Sequence, residues 1–410
     1  MNYIKKIFFS QPALVLLDQA IYSGTNFLLM LFLAQKLDLK SFGLFSTLML
    51  FVYLTMSITT ALVIQPFQVS YLKVQQKKQY FVFLCLVILF LIALFILIVK
   101  LLFLCLPILS IYSAYGNTIA FFIFGLLIQD FFRKFFLGLA QVTNALIIDS
   151  LFTLLIIILF YVLRDGIQLS NTLWIISIAN LASSLPGFIF IIKNFETPRS
   201  WKLFRDNHIL QGKWLVYIAF LQWGSSNFFV LVSGLYLGIE ALGALRLVQS
   251  VFGVLSVALI SIENYLLPKV IYFHHQSLAK AKKYLIDISL IGLVIFGSIL
   301  TFVFIFSDEI IILAGGFKYQ KYGYVVKIMT ILYLFIFLNY PIRIAIKTLV
   351  LNKVFFYGYV ISFALSVVTF HFFLNYFGLY GAVAGLAINQ LVMTFYWQNQ
   401  LKKNQFQLWI

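Results

Sequence analysis

Twelve stretches of mostly apolar residues run along the chain, near 12–34, 42–64, 80–104, 117–138, 144–163, 170–192, 214–237, 241–265, 284–306, 323–348, 355–376 and 379–400. Each is close to the roughly 20 residues that a helix needs to cross a hydrocarbon layer about 30 Å thick. A helix also satisfies its own backbone polar groups where there is no water to do so. The pattern predicts an all-α polytopic membrane protein of about twelve transmembrane helices. Segments four and five are joined so tightly that counts of eleven or thirteen stay open.

The pattern also repeats. Ser23-Gly24-Thr25-Asn26-Phe27 in the first segment faces Gly224-Ser225-Ser226-Asn227-Phe228 at an offset of 201, and Leu37–Gly43 (LDLKSFG) faces Leu237–Gly243 (LGIEALG) at an offset of 200. Self-similarity at so long an offset marks a duplicated half and not a solenoid. Residues 1–193 and 214–410 are therefore expected to form two six-helix bundles, joined by a basic cytoplasmic linker at 194–213. An even number of spans per half gives both halves the same orientation, so a pseudo-two-fold axis along the membrane normal should relate them, with a substrate path between.

Composition agrees with the pattern: 63% of residues are hydrophobic and mean hydropathy is +1.03, against roughly 45–50% apolar in a soluble domain. Net charge is +17, and its placement carries the information. With the N-terminus inside, 21 of the 29 lysines and arginines fall on inner loops and helix ends, from Lys5 and Lys6 to Lys402 and Lys403; Lys36, Lys40, Lys100, Arg164, Arg246, Lys318, Lys321 and Lys327 are the eight that do not. That asymmetry puts both termini in the cytoplasm. It explains the basic excess without nucleic acid. Cys85 and Cys105 lie about 30 Å apart on one helix at 1.5 Å per residue, too far to bond. Asp18, Gln19 and Asn26 within the first apolar run, with no small-residue cleavage site before Gln35, mark a retained helix and not a signal peptide.

Polar residues inside the spans are the candidate chemistry. Asp18, Tyr22, Thr25 and Asn26 share one helical face, which suits a cavity stripe whose carboxylate is an ion-coupling candidate, or plain interhelical hydrogen bonding. Arg246, Gln249, Ser250 and Gly253 share another; an arginine in a span is a functional candidate by default, and guanidinium suits a phosphate, although Arg246 could instead snorkel to lipid phosphates. Arg133 and Lys134 close segment four within pairing reach of Asp130; Arg343 and Lys347 lie one turn apart after Pro341. Both pairs read as an inner gate, an anionic head-group site or positive-inside anchors. Gln222, Ser226 and Ser233 share a face of segment seven, with Asn227 beside it. Asp149, Glu263 and Asp287 sit near inner helix ends and read as interfacial or paired. His274-His275 has too few neighbouring ligands for a metal site, and His371 reads as packed. There is no GxxxxGK[ST], HExxH or CxxC, and the longest outer loops, Leu106–Gly116 and Ser307–Tyr322, are too short for a catalytic domain. No cofactor, metal or enzymatic activity is expected.

Asp18-Gln19, Ser23-Gly24-Thr25-Asn26-Phe27, Leu37, Phe42-Gly43-Leu44-Phe45, Phe132-Arg133 and Asn180-Leu181-Ala182-Ser183-Ser184-Leu185-Pro186-Gly187 resemble bacterial polysaccharide-biosynthesis membrane proteins of the multidrug/oligosaccharidyl-lipid/polysaccharide (MOP) exporter superfamily. The resemblance implies a MATE-like fold and an inner-membrane flippase that moves undecaprenyl-pyrophosphate-linked oligosaccharide, an O-antigen, capsule or exopolysaccharide unit, by alternating access. It implies basic cavity residues for the pyrophosphate, with Arg133, Arg246 and Arg343 the candidates, and as partners membrane lipids, a polysaccharide polymerase and other assembly proteins. Asp18 is similar in placement to the ion-coupling acid of related drug exporters. The alternatives are a multidrug/cation antiporter of the same fold, a membrane polymerase or ligase, and a scaffold without transport.

The charge asymmetry gives a first test. In a background lacking Cys85 and Cys105, a cysteine at Gln320 should react with a membrane-impermeant thiol reagent on intact cells, and one at Lys403 should not. The reverse labelling would overturn the orientation.

Overall fold

The computed structural model describes residues 11–105, 107–163, 167–198 and 201–408. Lys5, Lys6, Leu106, Arg164 and Arg199, used above for charge and loops, lie outside them. Among the described residues the regular structure is helix alone: α1 (Gln11–Lys36), α2 (Leu39–Ser70), α3 (Lys77–Cys105), α4 (Gly116–Gly138), α5 (Val142–Val162), α6 (Leu169–Lys193), α7 (Trp201–Tyr236), α8 (Ile239–Gln276), α9 (Leu278–Ile305), α10 (Gly323–Thr348), α11 (352–377) and α12 (379–403). Residues 352–403 trace as one helix except at Gly378, whose φ of 56° and ψ of −131° break it. That left-handed φ favours glycine. Eleven continuous helices are long and apolar enough to cross a membrane, and the break at Gly378 resolves the longest into two. The chain is an all-α polytopic membrane protein.

Two compact units emerge. The first gathers the residues up to Leu28 with Leu48–Phe220, and the second gathers Leu29–Thr47 with everything from Leu221 onward. In the first, small residues let helices close on one another: a Cβ on Gly125 of α4 would meet the Ser177 carbonyl of α6, and one on Gly187 of α6 would enter the Phe132 ring of α4. Such close approach replaces the hydrophobic drive that lipid cannot provide. Phe67, Tyr80, Phe81, Phe135 and Phe190 join as an aromatic cluster between α2, α3, α4 and α6, with ring centroids 5.2–6.0 Å apart.

The sequence 201–213 is helical, forming the start of α7. Phe204 and His208, one turn apart, are buried against Tyr80 and Phe83 of α3. His208 lies 2.7 Å from the Tyr80 hydroxyl and 2.8 Å from the Leu62 carbonyl. Leu62 belongs to a π-helical turn, Thr60–Ile64, inside α2, a local widening that disturbs the ordinary i to i−4 ladder.

In the second unit the sequence repeat becomes a contact. Gly43 and Gly243, equivalent at an offset of 200, meet where α2 crosses α8: a Cβ on Gly243 would lie 2.9 Å from the Gly43 Cα, and one on Gly43 would strike the Ile239 carbonyl. Around this crossing Phe42 stands edge-on to Tyr319 at 6.1 Å. Lys318 donates to the carbonyls of Gln35 and Leu37 at the C-terminus of α1, where a cation is favoured by the helix dipole. The repeat also has a local expression. Asn26 and Asn227 each donate from Nδ2 to the carbonyl four residues back, at 2.8 and 3.0 Å. Asp38 caps α2 by accepting from the Ser41 backbone N–H at 2.9 Å. Partial burial pushes its carboxyl up, but the Ser41 hydrogen bonds outweigh that and hold it below the usual carboxylate range.

Gly243→Val forces a side chain into the Gly43 backbone, and overpacking of this kind costs about 1–3 kcal/mol. Its melting temperature in detergent should fall clearly below that of the parent. Gly253→Ala, where an added Cβ meets nothing within 4 Å, should leave it within about a degree or two, in keeping with a stability change near zero.

Candidate functional site

Two constellations stand out, one in each unit. The first centres on Arg133 in α4, which is 5% exposed. Its Nε donates to Asp149 Oδ2 at 2.6 Å, its Nη2 donates to Asp18 Oδ2 at 2.7 Å, and its guanidinium lies 3.9 Å from the Tyr22 ring centroid. Gln129 donates to the other Asp149 oxygen at 3.1 Å. One turn of packing explains why Arg133 points inward: its neighbour Phe132 occupies the space left by Gly187, which fixes the rotation of α4. Thr25 and Thr153 share a hydrogen bond at 2.7 Å and tie α1 to α5 beside the cluster. Next to it, Lys134 donates to Asp130 at 2.8 Å and to Thr60 of the π turn at 2.8 Å.

With every group ionised, the cluster holds three carboxylates (Asp18, Asp130, Asp149) and two cations (Arg133, Lys134). One negative charge is in excess. Asp18 Oδ1 and Asp130 Oδ1 are buried without a hydrogen-bond partner, each an expensive acceptor to leave unsatisfied. Among the described residues no group of three or more His, Cys, Asp and Glu side chains is placed to hold a metal.

The second constellation is a cavity of ≈ 350 Å³ within the second unit, walled by α7, α8, α10, α11 and α12. Its polar lining is basic and neutral: Arg246, Gln249 and Ser256 from α8, Ser226 and Asn227 from α7, Asn339, Tyr340 and Arg343 from α10, Tyr359 from α11 and Gln390 from α12. No carboxylate is among the lining residues. Arg246 donates to Gln249 Oε1 at 2.9 Å, and Asn339 donates to Gln390 Oε1 at 3.2 Å. Just past the cavity, buried Glu263 of α8 pairs with Lys347 at 2.5 Å and with Arg343 at 3.3 Å.

The two arginines stand at opposite ends of this cavity. Ser256 bonds Tyr333 at 2.9 Å, and Glu263 meets Arg343 and Lys347, so α8 and α10 run parallel. Arg246 precedes Ser256 by ten residues, and Arg343 follows Tyr333 by ten. At 1.5 Å per residue these contacts separate their Cα atoms by about 20–30 Å along the helices.

The sequence-selected residues divide accordingly. Arg246, Gln249, Asn227 and Arg343 share the cavity; Arg133, Lys134 and Asp18 belong to the ionic cluster in the other unit. Asp130 takes Lys134 at i+4 and leaves Arg133 to Asp18 and Asp149. Lys347 lies beyond the cavity on Glu263, Asn26 is bonded to its own helix, and Gln222 is not in the lining. Asp149 and Glu263 are paired and buried, whereas Asp287 is exposed. His371 bonds the Tyr236 hydroxyl at 2.9 Å. Tyr359, Asn339 and Gln390 were not singled out from the sequence. Their lone polar side chains lie in aromatic and aliphatic runs that periodicity alone does not separate from core.

No protein-family model matches the sequence, and no curated protein does. Solved structures match in fold. Lipid II flippase MurJ in an inward closed conformation has a TM-score of 0.73 at 14% identity, over 95% of this chain and 87% of that one. An inward-facing multidrug resistance MATE family transporter of the MOP superfamily has a TM-score of 0.68 at 12% identity, over 97% and 95%. An outward-facing MATE family transporter gives 0.63 at 11%, over 97% and 96%. The chain shares the fold of these transporter structures.

Removing one member of a buried ion pair costs about 3–5 kcal/mol, because an uncompensated charge stays behind. Arg133→Ala, which strands Asp18 and Asp149 together, should lower the detergent melting temperature strongly. Arg133→Ala with Asp18→Asn and Asp149→Asn should recover a large part of the loss. A triple variant no more stable than the single one would show that the charges are not what binds α1, α4 and α5.

Proposed function

We propose that this chain is a transporter that carries a lipid-linked anionic head group across the membrane, and specifically a flippase for undecaprenyl-pyrophosphate-linked oligosaccharide. The observation that carries the reading is the cavity of the second unit, which presents two arginines and a set of amides and hydroxyls without a lining carboxylate. Arginine matches phosphate oxygens in fork geometry, and in a low-dielectric cavity that attraction is strengthened. Amide, hydroxyl and tyrosine side chains suit the hydroxyls and ring faces of sugars. A lipophilic cation would find the wrong sign there. The fold shared with a lipid II flippase is compatible with this cargo, and the lipid tail would stay in the bilayer while the head group passes.

The ionic cluster of the first unit serves as the coupling element in this reading. Its formal excess of one negative charge, with free oxygens on Asp18 and Asp130, leaves room for one cation, a proton or a sodium ion. Binding there would rearrange the pairing of Arg133 and so bias the conformation of the unit. The same cluster is what favours the second reading, an ion-coupled antiporter of the same fold. The two differ in cargo and not in drive.

Reconstitution separates them. Liposomes containing the protein should bring a fluorescent undecaprenyl-pyrophosphate-linked saccharide to the leaflet where a membrane-impermeant quencher reaches it. Arg246→Ala should slow this at least tenfold, the effect of losing one charge-assisted contact of about 1.5–3 kcal/mol. Full activity in that variant would sink the head-group role of Arg246. Transport of a lipophilic cation instead of the lipid would favour the antiporter.

A further inference from the structure

Glu263 is an acid placed where an anion-binding cavity has no obvious use for one. It is 3% exposed, on the α8 face that continues below Ser256, and it touches Arg343 from outside the cavity. Its two cations hold it unequally, Lys347 at 2.5 Å and Arg343 at 3.3 Å. Arg343 Nε is buried with no hydrogen-bond partner, so part of the guanidinium fork is not used by Glu263. Arg343 also lies beside the Tyr340 ring at 4.8 Å, which orients it without neutralising it. At the far end of the cavity Arg246 donates to the neutral Gln249.

We propose that Glu263 is an internal competitor for an oxyanion at Arg343. The inference rests on the anion-cavity reading above and adds how one end of that cavity is regulated. When the cavity is empty, Glu263 is shared between Arg343 and Lys347. When a phosphate-type group enters, Arg343 turns its unused donors to the ligand and Glu263 withdraws onto Lys347, which already holds it more closely. When empty, this end carries one carboxylate and two cations, a net charge of +1 that an entering oxyanion meets. The Arg343 end therefore binds weakly and exchanges readily, and Lys347 acts as a positioning residue by keeping Glu263 occupied. Because about 20–30 Å of helix separates the Arg246 and Arg343 backbones, the two ends act as separate stations that one head group occupies in turn.

The test reads the Arg343 station alone. Full-length protein carrying Arg246→Ala is purified in detergent, and its affinity for inorganic pyrophosphate is measured by titration calorimetry at low salt. Glu263→Gln in that background should tighten binding about tenfold, the effect of freeing one charge-assisted donor set. Lys347→Met should weaken it severalfold by leaving Glu263 to Arg343, and adding Glu263→Gln to Lys347→Met should restore it. Asp287→Asn, which removes an exposed acid of the same sign outside the cavity, should change nothing. Unchanged affinity in Glu263→Gln, with pyrophosphate still bound through Arg343, overturns the competitor role while the anion cavity stands. An equal gain in Asp287→Asn reduces the effect to net charge and also overturns it. Absence of binding in both the parent protein and Glu263→Gln overturns the anion-cavity reading itself.

Discussion

A guanidinium surrounded by apolar helices must be met by charge or by water, and Arg133 is met by two carboxylates and an aromatic face. Much of the first unit follows from that demand. Asp18 commits α1 and Asp149 commits α5 to the same face of α4, and Phe132 against Gly187 sets the rotation that makes both reachable. Each contact is weak support alone, since buried ion pairs barely repay their desolvation. What they provide is register. Any sliding or turning of α4 separates a charge from its partner in a medium that cannot solvate it.

The second unit uses the same residue types to a different end. Arg133 is enclosed and has both its carboxylate partners within 2.7 Å; Arg343 opens onto a cavity with part of its fork unused, and its carboxylate stands at 3.3 Å. The Arg133 side chain is 6% exposed and that of Arg343 23%. They differ as well in how fully their donors are taken up, and the two properties together separate a structural charge from a binding one.

The long-range architecture was readable in the sequence because it rests on periodicity and on glycine. Twelve apolar runs became helices, and the alignment of LDLKSFG with LGIEALG singled out Gly43 and Gly243, which the structure brings into contact. Two of the segments behind the family resemblance, Phe132-Arg133 and the stretch ending at Gly187, also meet in space. The pairing of Asp130 with Lys134 at i+4 was readable, but the long-range pairing of charges was not. Arg133 finds Asp18 across 115 positions and Glu263 finds Lys347 across 84, while local rules reach only three or four residues. The charge asymmetry had already set Arg246 toward the outer side and Arg343 toward the inner side. The contacts of Ser256 with Tyr333 and of Glu263 with Arg343 and Lys347 set α8 and α10 in parallel and agree with that placement.

That separation bears on how a charged head group can move at all. A cavity with both arginines at one point would bind a pyrophosphate tightly and release it slowly, and a carrier needs binding favourable enough to enter yet weak enough to leave. Spreading the positive charge along the helices lowers the depth of any single well. Partial neutralisation of Arg343 by Glu263 lowers it further at one end, and the amides and tyrosines between the ends offer the group neutral partners on the way. On this view the buried acid beside the basic cavity is not a flaw in its electrostatics. It is what keeps the cavity from holding its ligand too well.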